Sequence, residues 1–445
     1  MTKNTLLVSL ALLACSPLGA QHFSGGSGTA GDPYKVSNVA DLAELDSLVN
    51  VNNAKGKFFK LTCDIATPVT RMVGSEGVFS GHFDGEGHTI NLAIESEESY
   101  IGLFGTTTHA TIKNLIVEGY IHAGNSVAAV VGNPSSGTLI ENVVNYAEVK
   151  GKVYVGGVAG QIVSQKKGGT VGVTVRNCVN YGTIYGQSIV GGVVGYSGQQ
   201  VGNVLERLVN YGHVDGGNRR MGGVVGNPLY NDVVKGLINM GTIGNIEISG
   251  VMGNANPTTQ AELYYDCQYS PSQAEISSQC KNTAQLLGNA MRSEEQASMF
   301  NESYWCFEEG MLPRLKMQGQ EHSPRAVLYA TPLLLEAGNT VLDVKAPFKV
   351  KTDGGVEWKA QNGKVEITST GMAYPKEVGQ EVLMATYKGY SRSIAINITK
   401  ASAIDEVKAD DRLHGDAWFT VMGVPIQRPT HAGIYIHNGK KVIIP

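Results

Sequence analysis

The 445-residue chain has little of what most functional classes need. Only 17% of its residues are charged and the net charge is −4, so the basic footprint expected of a nucleic-acid binder is missing. No run of five basic residues occurs, which excludes a polybasic membrane patch. There is no His-Glu-x-x-His, the signature of zinc peptidases, and no Cys-x-x-Cys pair for a zinc site. Phenylalanine is scarce, at 10 residues, against 56 glycines. That ratio suits tight corners around a thin apolar core. Apart from the first residues, no hydrophobic run could anchor the chain in a bilayer. No cofactor and no metal are expected.

What the chain does have is repetition. Gly102-Leu-Phe-Gly105 returns as Ala129-Val-Val-Gly132, Gly157-Val-Ala-Gly160, Gly192-Val-Val-Gly195, Gly223-Val-Val-Gly226 and Gly250-Val-Met-Gly253. The steps between the last glycines are 27, 28, 35, 31 and 27 residues, a period that signals a repeat architecture. A second phrase interleaves with it: Asn145-Tyr-Ala-Glu-Val149, Asn180-Tyr-Gly-Thr-Ile184, Asn210-Tyr-Gly-His-Val214 and Asn239-Met-Gly-Thr-Ile243. The apolar runs are short, valine- and isoleucine-rich and bounded by glycine, which predicts strands. No helix-length amphipathic pattern separates them. The predicted fold is all-β: a right-handed parallel β-solenoid over about residues 55–275. A glycine in each coil allows either a corner with positive φ or a close backbone approach. Asn145, Asn180, Asn210 and Asn239 are expected to stack as a ladder of amides.

These phrases, with Phe79-Ser-Gly-His-Phe-Asp-Gly-Glu-Gly-His-Thr-Ile90 upstream, resemble the GLUG repeat family over roughly residues 23 to 317. The resemblance implies a β-solenoid at a bacterial cell surface, in a family found in gut and oral bacteria and beside immunoglobulin A peptidases. It implies no catalytic activity for the repeats.

The ends read differently. Residues 1–20 look like a signal peptide: Lys3, an apolar run from Thr5 to Ala14, and small residues before a cleavage site near Ala20. Leu12-Leu-Ala-Cys15 is a rival lipoprotein box. Either way the chain is exported, and an extracellular, outer-membrane-attached location is expected. Residues 21–54 form a loop and a capping helix begun by Ser37 or Asn38, and the solenoid module extends to about 320. Residues 325–400 carry short alternating strands and turn dipeptides, predicting a small immunoglobulin-like β-sandwich with Trp358 in its core. After a linker at 401–413, residues 414–445 resemble a type IX secretion sorting domain on Gly433-Ile-Tyr-Ile and Asn438-Gly-Lys-Lys. That resemblance implies a Bacteroidetes-type source and a tail read by the secretion machinery. Its preceding segment, Val421 to Arg428, departs from the family pattern.

Candidate functional residues follow from the repeats. Tyr146, Tyr181 and Tyr211 recur in matching places and would either present a platform for sugars and proteins or pack a coil corner. Asp215, Arg219 and Arg220 form a charged coil edge that could bind a ligand. Glu141, Glu148, Arg176, Glu206, Arg207 and Asp232 are the other charged groups within the coils. His82, Asp84, Glu86 and His88 crowd one turn, either as a metal or proton-transfer site or as consecutive tight turns. Cys267 and Cys280 flank a polar loop and could form a disulfide; Cys178 reads as a small buried residue. Two functions remain open. One is a non-enzymatic adhesin that contacts glycans or host surface proteins. The other is a polysaccharide lyase or glycoside hydrolase built on a β-helix. No catalytic residue is assigned.

Overall fold

The computed structural model describes residues 23–163, 171–198, 202–217, 220–244, 249–254, 257, 259–266, 280–281, 286, 300, 302–307, 313–317, 341–344, 347–350, 357–387, 390–399, 418–420, 425–426, 433–437 and 440–444. It divides into two compact units, one containing the repeats and one most of the chain beyond residue 338.

The repeat unit is a parallel β-solenoid of about eight turns. Its long sheet runs through Tyr34–Val36, Phe58–Leu61, His82–Asp84, Thr111–His122, Leu139–Asn145, Thr174–Asn180, Val204–Asn210, Val233–Asn239, Thr259–Asp266 and Cys280–Lys281. A second sheet stacks Val73–Phe79, Phe104–Thr108, Val131–Ser135, Ala159–Val163, Val194–Gly198 and Val225–Asn227. A third stacks Val127–Ala128, Val153–Gly156, Ser188–Gly191 and Met221–Gly222. The first strand of the long sheet, Tyr34–Val36, falls where the sequence reads as loop. It pairs parallel to Phe58–Leu61 because Val36 and Leu61 both bury into the core.

The glycine phrase explains the stacking. Val131 pairs with Phe104 and with Ala159, Ala159 with Val194, and Val194 with Val225. The last glycines of successive phrases therefore lie one above the other. None of Gly160, Gly195 and Gly226 needs a positive φ; the constraint is space. A Cβ on Gly160 would sit 2.7 Å from the Gly132 carbonyl oxygen, one on Gly195 2.6 Å from that of Gly160, and one on Gly226 2.4 Å from that of Gly195.

One end is sealed by the helix Val39–Asn50. Asn38 is its cap, accepting from Asp41 N at 3.0 Å. Asp41, buried, ties the helix back to the preceding loop by accepting from Ser24 N and Ser37 N. Leu42, Leu45, Leu48 and Val49 close the core beneath it.

The other unit holds sheets of short strands. In one, Phe348–Lys349 and Val365–Ile367 both pair antiparallel with Met372–Pro375. Glu381, fully buried, accepts from Asn362 N and Lys364 N at 2.7 Å each and so fixes the turn at Asn362-Gly363. Trp358 is only half-buried, so the core rests instead on Phe348, Val365, Ala373, Leu383 and Ile396. Near the end of the chain Gly433–His437 and Lys440–Ile444 pair antiparallel, with His437 opposite Lys440. That register leaves two residues, 438–439, for the connection.

Candidate functional site

Each asparagine phrase starts inside the coil. Asn145, Asn180, Asn210 and Asn239 have no exposed surface. Nδ2 of Asn145 donates to Oδ1 of Asn180 at 2.7 Å, and the next two links are 2.8 Å each. Each of the first three amides also donates to the carbonyl two residues on, at Ala147, Gly182 and Gly212. In all four, Oδ1 accepts from the backbone N–H two residues on. The glycine phrase makes room for this column. A Cβ on Gly157 would lie 2.7 Å from Asn180 Oδ1, one on Gly192 2.5 Å from Asn210 Cγ, and one on Gly223 2.2 Å from Asn239 Nδ2. The two interleaved phrases are opposite sides of one contact. In the last coil Tyr265 replaces asparagine, and its ring fills the space over Gly250.

The next position in the phrase points outward. Tyr146, Tyr181 and Tyr211 stack with centroids 4.8 and 5.0 Å apart. Downstream residues cover them: Leu286, Phe300, Trp305, Leu315 and Met317 form one apolar cluster with Tyr181, Tyr211, Val179, Val209, Ile238 and Met240. Tyr211 donates its hydroxyl to the Pro313 carbonyl, and Trp305 Nε1 donates to Asn177 Oδ1 at 3.3 Å. Tyr181 is 7% exposed and Tyr211 0%. The column is packed, and those two rings offer no face to a ligand.

Three of the charged coil candidates, Glu141, Arg176 and Glu206, belong to a ladder. Asp84, Lys113, Glu141, Arg176, Glu206 and Lys235 are register neighbours in successive coils, and their signs alternate without a break. Lys113 meets Asp84 at 3.0 Å and Arg176 meets Glu141 at 2.7 Å. Arg207 pairs with Glu206 at 3.2 Å and donates to Asn177 Oδ1. Asp232 is buried, where desolvation pushes its carboxyl pKa up although Leu229 N and Asn203 N donate to it.

The crowded turn resolves as turn chemistry. Asp84 Oδ1 accepts from Glu86 N and Asn114 Nδ2, and Glu86 and Gly87 both take positive φ. His88 pairs instead with Asp64 at 3.1 Å, and His82 stacks on Phe58 with its pKa lowered by burial and by Lys113. Among the described residues no three of His, Cys, Asp and Glu come together as metal ligands would. Cys178 is buried, which raises its thiol to about 12 and keeps it inert. Cys267 and the Cys280 side chain lie outside the described residues.

Asp215 lies on a different surface. After each asparagine phrase a short strand follows: Glu148–Lys150, Ile184–Gly186 and Val214–Gly216, joined to the end of Thr111–His122. The register-matched residues Val149, Ile184 and Val214 are buried. The residues on either side point out, so positions three and five after each asparagine form two exposed columns. One runs Tyr120, Glu148, Thr183, His213, Thr242; the other His122, Lys150, Tyr185, Asp215, Gly244. His122 meets Glu148 at 2.9 Å, Lys150 stands 5.7 Å from the Tyr185 ring centroid, and His213 meets Thr242 at 2.7 Å and Asp215 at 4.0 Å. Of the predicted binding residues, only Asp215 belongs to this strip. Arg220 sits past it at a corner with φ 51°, and Arg219 lies outside the described residues. Lys150, Tyr185 and His213 were missed. Their signal was present as positions that vary within an otherwise fixed phrase.

No family model matches the chain. It is similar to halomucin from Haloquadratum walsbyi (strain DSM 16790 / HBSQ001), at 33% identity over 153 residues, which is 30% of this chain and 2% of halomucin. The chain thus spans a very small part of that relative's length. Among solved structures it is similar to an immunoglobulin A1 protease candidate from Bacteroides ovatus. That match has a TM-score of 0.44 and 17% identity, and covers 66% of this chain and 95% of the other. A likeness at that TM-score says nothing about function.

Proposed function

We propose that this chain is a non-enzymatic binding protein, displayed outside the cytoplasm, whose solenoid holds glycans or host surface proteins on its exposed strip. One observation carries the reading. The framework of each coil, asparagine within and glycine opposite, stays fixed, while the exposed residues three and five places on change from Glu148 and Lys150 to Thr183 and Tyr185 to His213 and Asp215. A rigid frame with variable outward groups suits recognition, since ordering costs are met on folding. Among the described residues Glu141, Glu206 and Glu148 are each engaged in a pair along the coils, as Arg176, Arg207 and His122 partner them, an arrangement that suits a frame better than an acid and base about one point.

The address belongs to the same proposal. Residues 1–20 act as an export signal and residues 414–445 as a sorting tail read by secretion machinery. The repeats are of GLUG type on a Bacteroidetes-type surface, and residues 325–400 serve as a spacer. Among the described residues no helix is long and apolar enough to cross a membrane.

The test is a glycan array and an immobilised panel of host surface proteins, run beside a reducing-end assay on the same polysaccharides. Binding without turnover is the expected result. Turnover that disappears in Asp215→Ala would overturn the reading in favour of a polysaccharide-degrading enzyme. Protease shaving of intact cells should release the protein, and loss of residues 414–445 should leave it in the periplasm.

A further inference from the structure

We propose that Lys150, Tyr185, His213 and Asp215 form one subsite for the ring of an acidic sugar, a uronate within a longer glycan; this rests on the binding reading above and gives it a substrate class. Three strands bring the four residues together. Lys150 is the register neighbour of Tyr185, and Tyr185 of Asp215, so the phenol ring lies one coil from an ammonium on one side and one coil from a carboxylate on the other. Successive parallel strands are about 4.8 Å apart, a step that a pyranose ring and its substituents bridge.

The charged groups along the coils are not equivalent. Lys113 is held by Asp84 at 3.0 Å and Lys152 by Glu97 at 2.9 Å. Glu148 is taken by His122 at 2.9 Å. Among the described residues no carboxylate pairs with Lys150, whose ammonium stands 5.7 Å from the Tyr185 centroid. It is therefore an exposed cation with no carboxylate partner, resting over a ring that is 40% exposed. Tyrosine supplies a flat apolar face for the C–H side of a sugar and a hydroxyl at its rim.

Asp215 completes the site. It leans along the column towards Gly244, where a Cβ would come within 2.1 Å of its Oδ1, so that glycine gives the carboxylate its room. Gly216 N donates to Oδ1 at 2.7 Å, and His213, anchored on Thr242 at 2.7 Å, lies 4.0 Å from Oδ2. This leaves acceptor capacity on the carboxylate for sugar hydroxyls, which make charge-assisted bonds to it. A carboxylate at one end of the sugar matches Lys150, and hydroxyls at the other end match Asp215.

The experiment titrates the full chain with an oligogalacturonate and with the same oligosaccharide after its carboxyl groups have been reduced to alcohols. Binding is read by calorimetry at low and high salt. The acidic form should bind about fivefold more tightly, the size of an exposed ion pair, and salt should erase the gap. Lys150→Gln should remove the preference while keeping the neutral ligand. Tyr185→Ala should weaken both about tenfold. Tyr230→Ala, at an exposed ring elsewhere, should change neither. Melting curves confirm that the variants fold. Equal binding of the two oligosaccharides would overturn the acidic-sugar assignment. Binding that survives Tyr185→Ala unchanged would overturn the subsite and leave the chain a glycan binder at another place. No binding of either probe by the wild type would overturn the subsite, and the protein panel would then decide the broader reading.

Discussion

Two columns that each open with asparagine run along the solenoid, and they obey different rules. The inner one is asparagine four times over, buried and joined by amide bonds of 2.7 to 2.8 Å. The outer one bends the long strands at Asn114, Asn142, Asn177, Arg207, Gly236 and Glu262, every one with positive φ. Asparagine begins that column, and Asn142 donates to Asn114 at 2.6 Å. Two coils later arginine, glycine and glutamate take the place. The inner column requires a chemical group, since a primary amide offers two donors and two acceptor sites at once, and Asn180 and Asn210 use all four. The outer column requires a backbone conformation, which several residues reach at modest cost.

The comparison breaks most violently at the glycines that face the inner column. Gly192→Ala would push a methyl carbon to 2.2 Å from the Gly223 carbonyl oxygen and 2.5 Å from Asn210 Cγ. A loss of about 4 kcal/mol or more is expected in urea denaturation, whereas Gly31→Ala, with open space around it, should be neutral. Asn180→Leu comes next. It takes one of two partners from Asn145 Nδ2 and from Asn210 Oδ1 and removes the Asn180 bonds to both polar groups of Gly182, for a loss of about 3 kcal/mol. At the corner Asn142→Gly keeps the conformation and loses one amide bond, so it should cost about 1 kcal/mol, well short of Asn180→Leu. If it costs as much as Asn180→Leu, the distinction between group and conformation fails.

Another corner sharpens the rule. Tyr100, Ser126, Tyr154, Ile189 and Arg220 form a second column of positive φ, and Ile189, β-branched at φ 54°, is the most strained of them. Ile189→Gly should raise stability by up to about 1 kcal/mol in the same assay. The smallest effect is a slope with pH. Burial raises the Asp232 pKa above its ordinary 3.8, so the folded state holds this proton longer than the unfolded chain. Its contribution is full below pH 3.8 and is lost as pH rises through the raised value. Asp232→Asn should flatten that fall in denaturation curves taken across the acid range.

How much of this the sequence reveals follows the same division. The inner column and its glycines repeat almost letter for letter, with Ala129 and Tyr265 as the exceptions, because a buried amide and a missing Cβ have few substitutes. The exposed strip could not be found by looking for identity, since Lys150, Tyr185 and Asp215 share a place and nothing else. Whether the tyrosine column packs or presents was hidden for another reason. Its cover is Trp305 and Leu315, residues with no period of their own that lie some hundred positions downstream. Trp358 misled because size suggests burial, while a small domain can set a tryptophan at its rim.

The alternating charges from Asp84 to Lys235 carry a consequence for how such a chain can lengthen or shorten. Excising a single coil, that of Arg176 for instance, would set Glu141 directly against Glu206. Like charges in opposed positions repel, whereas excising two neighbouring coils restores opposite signs across the junction. Growth and loss in this array are thus favoured in even numbers. The repeat that evolution copies without penalty is the pair of coils, twice the unit that the glycine phrase announces.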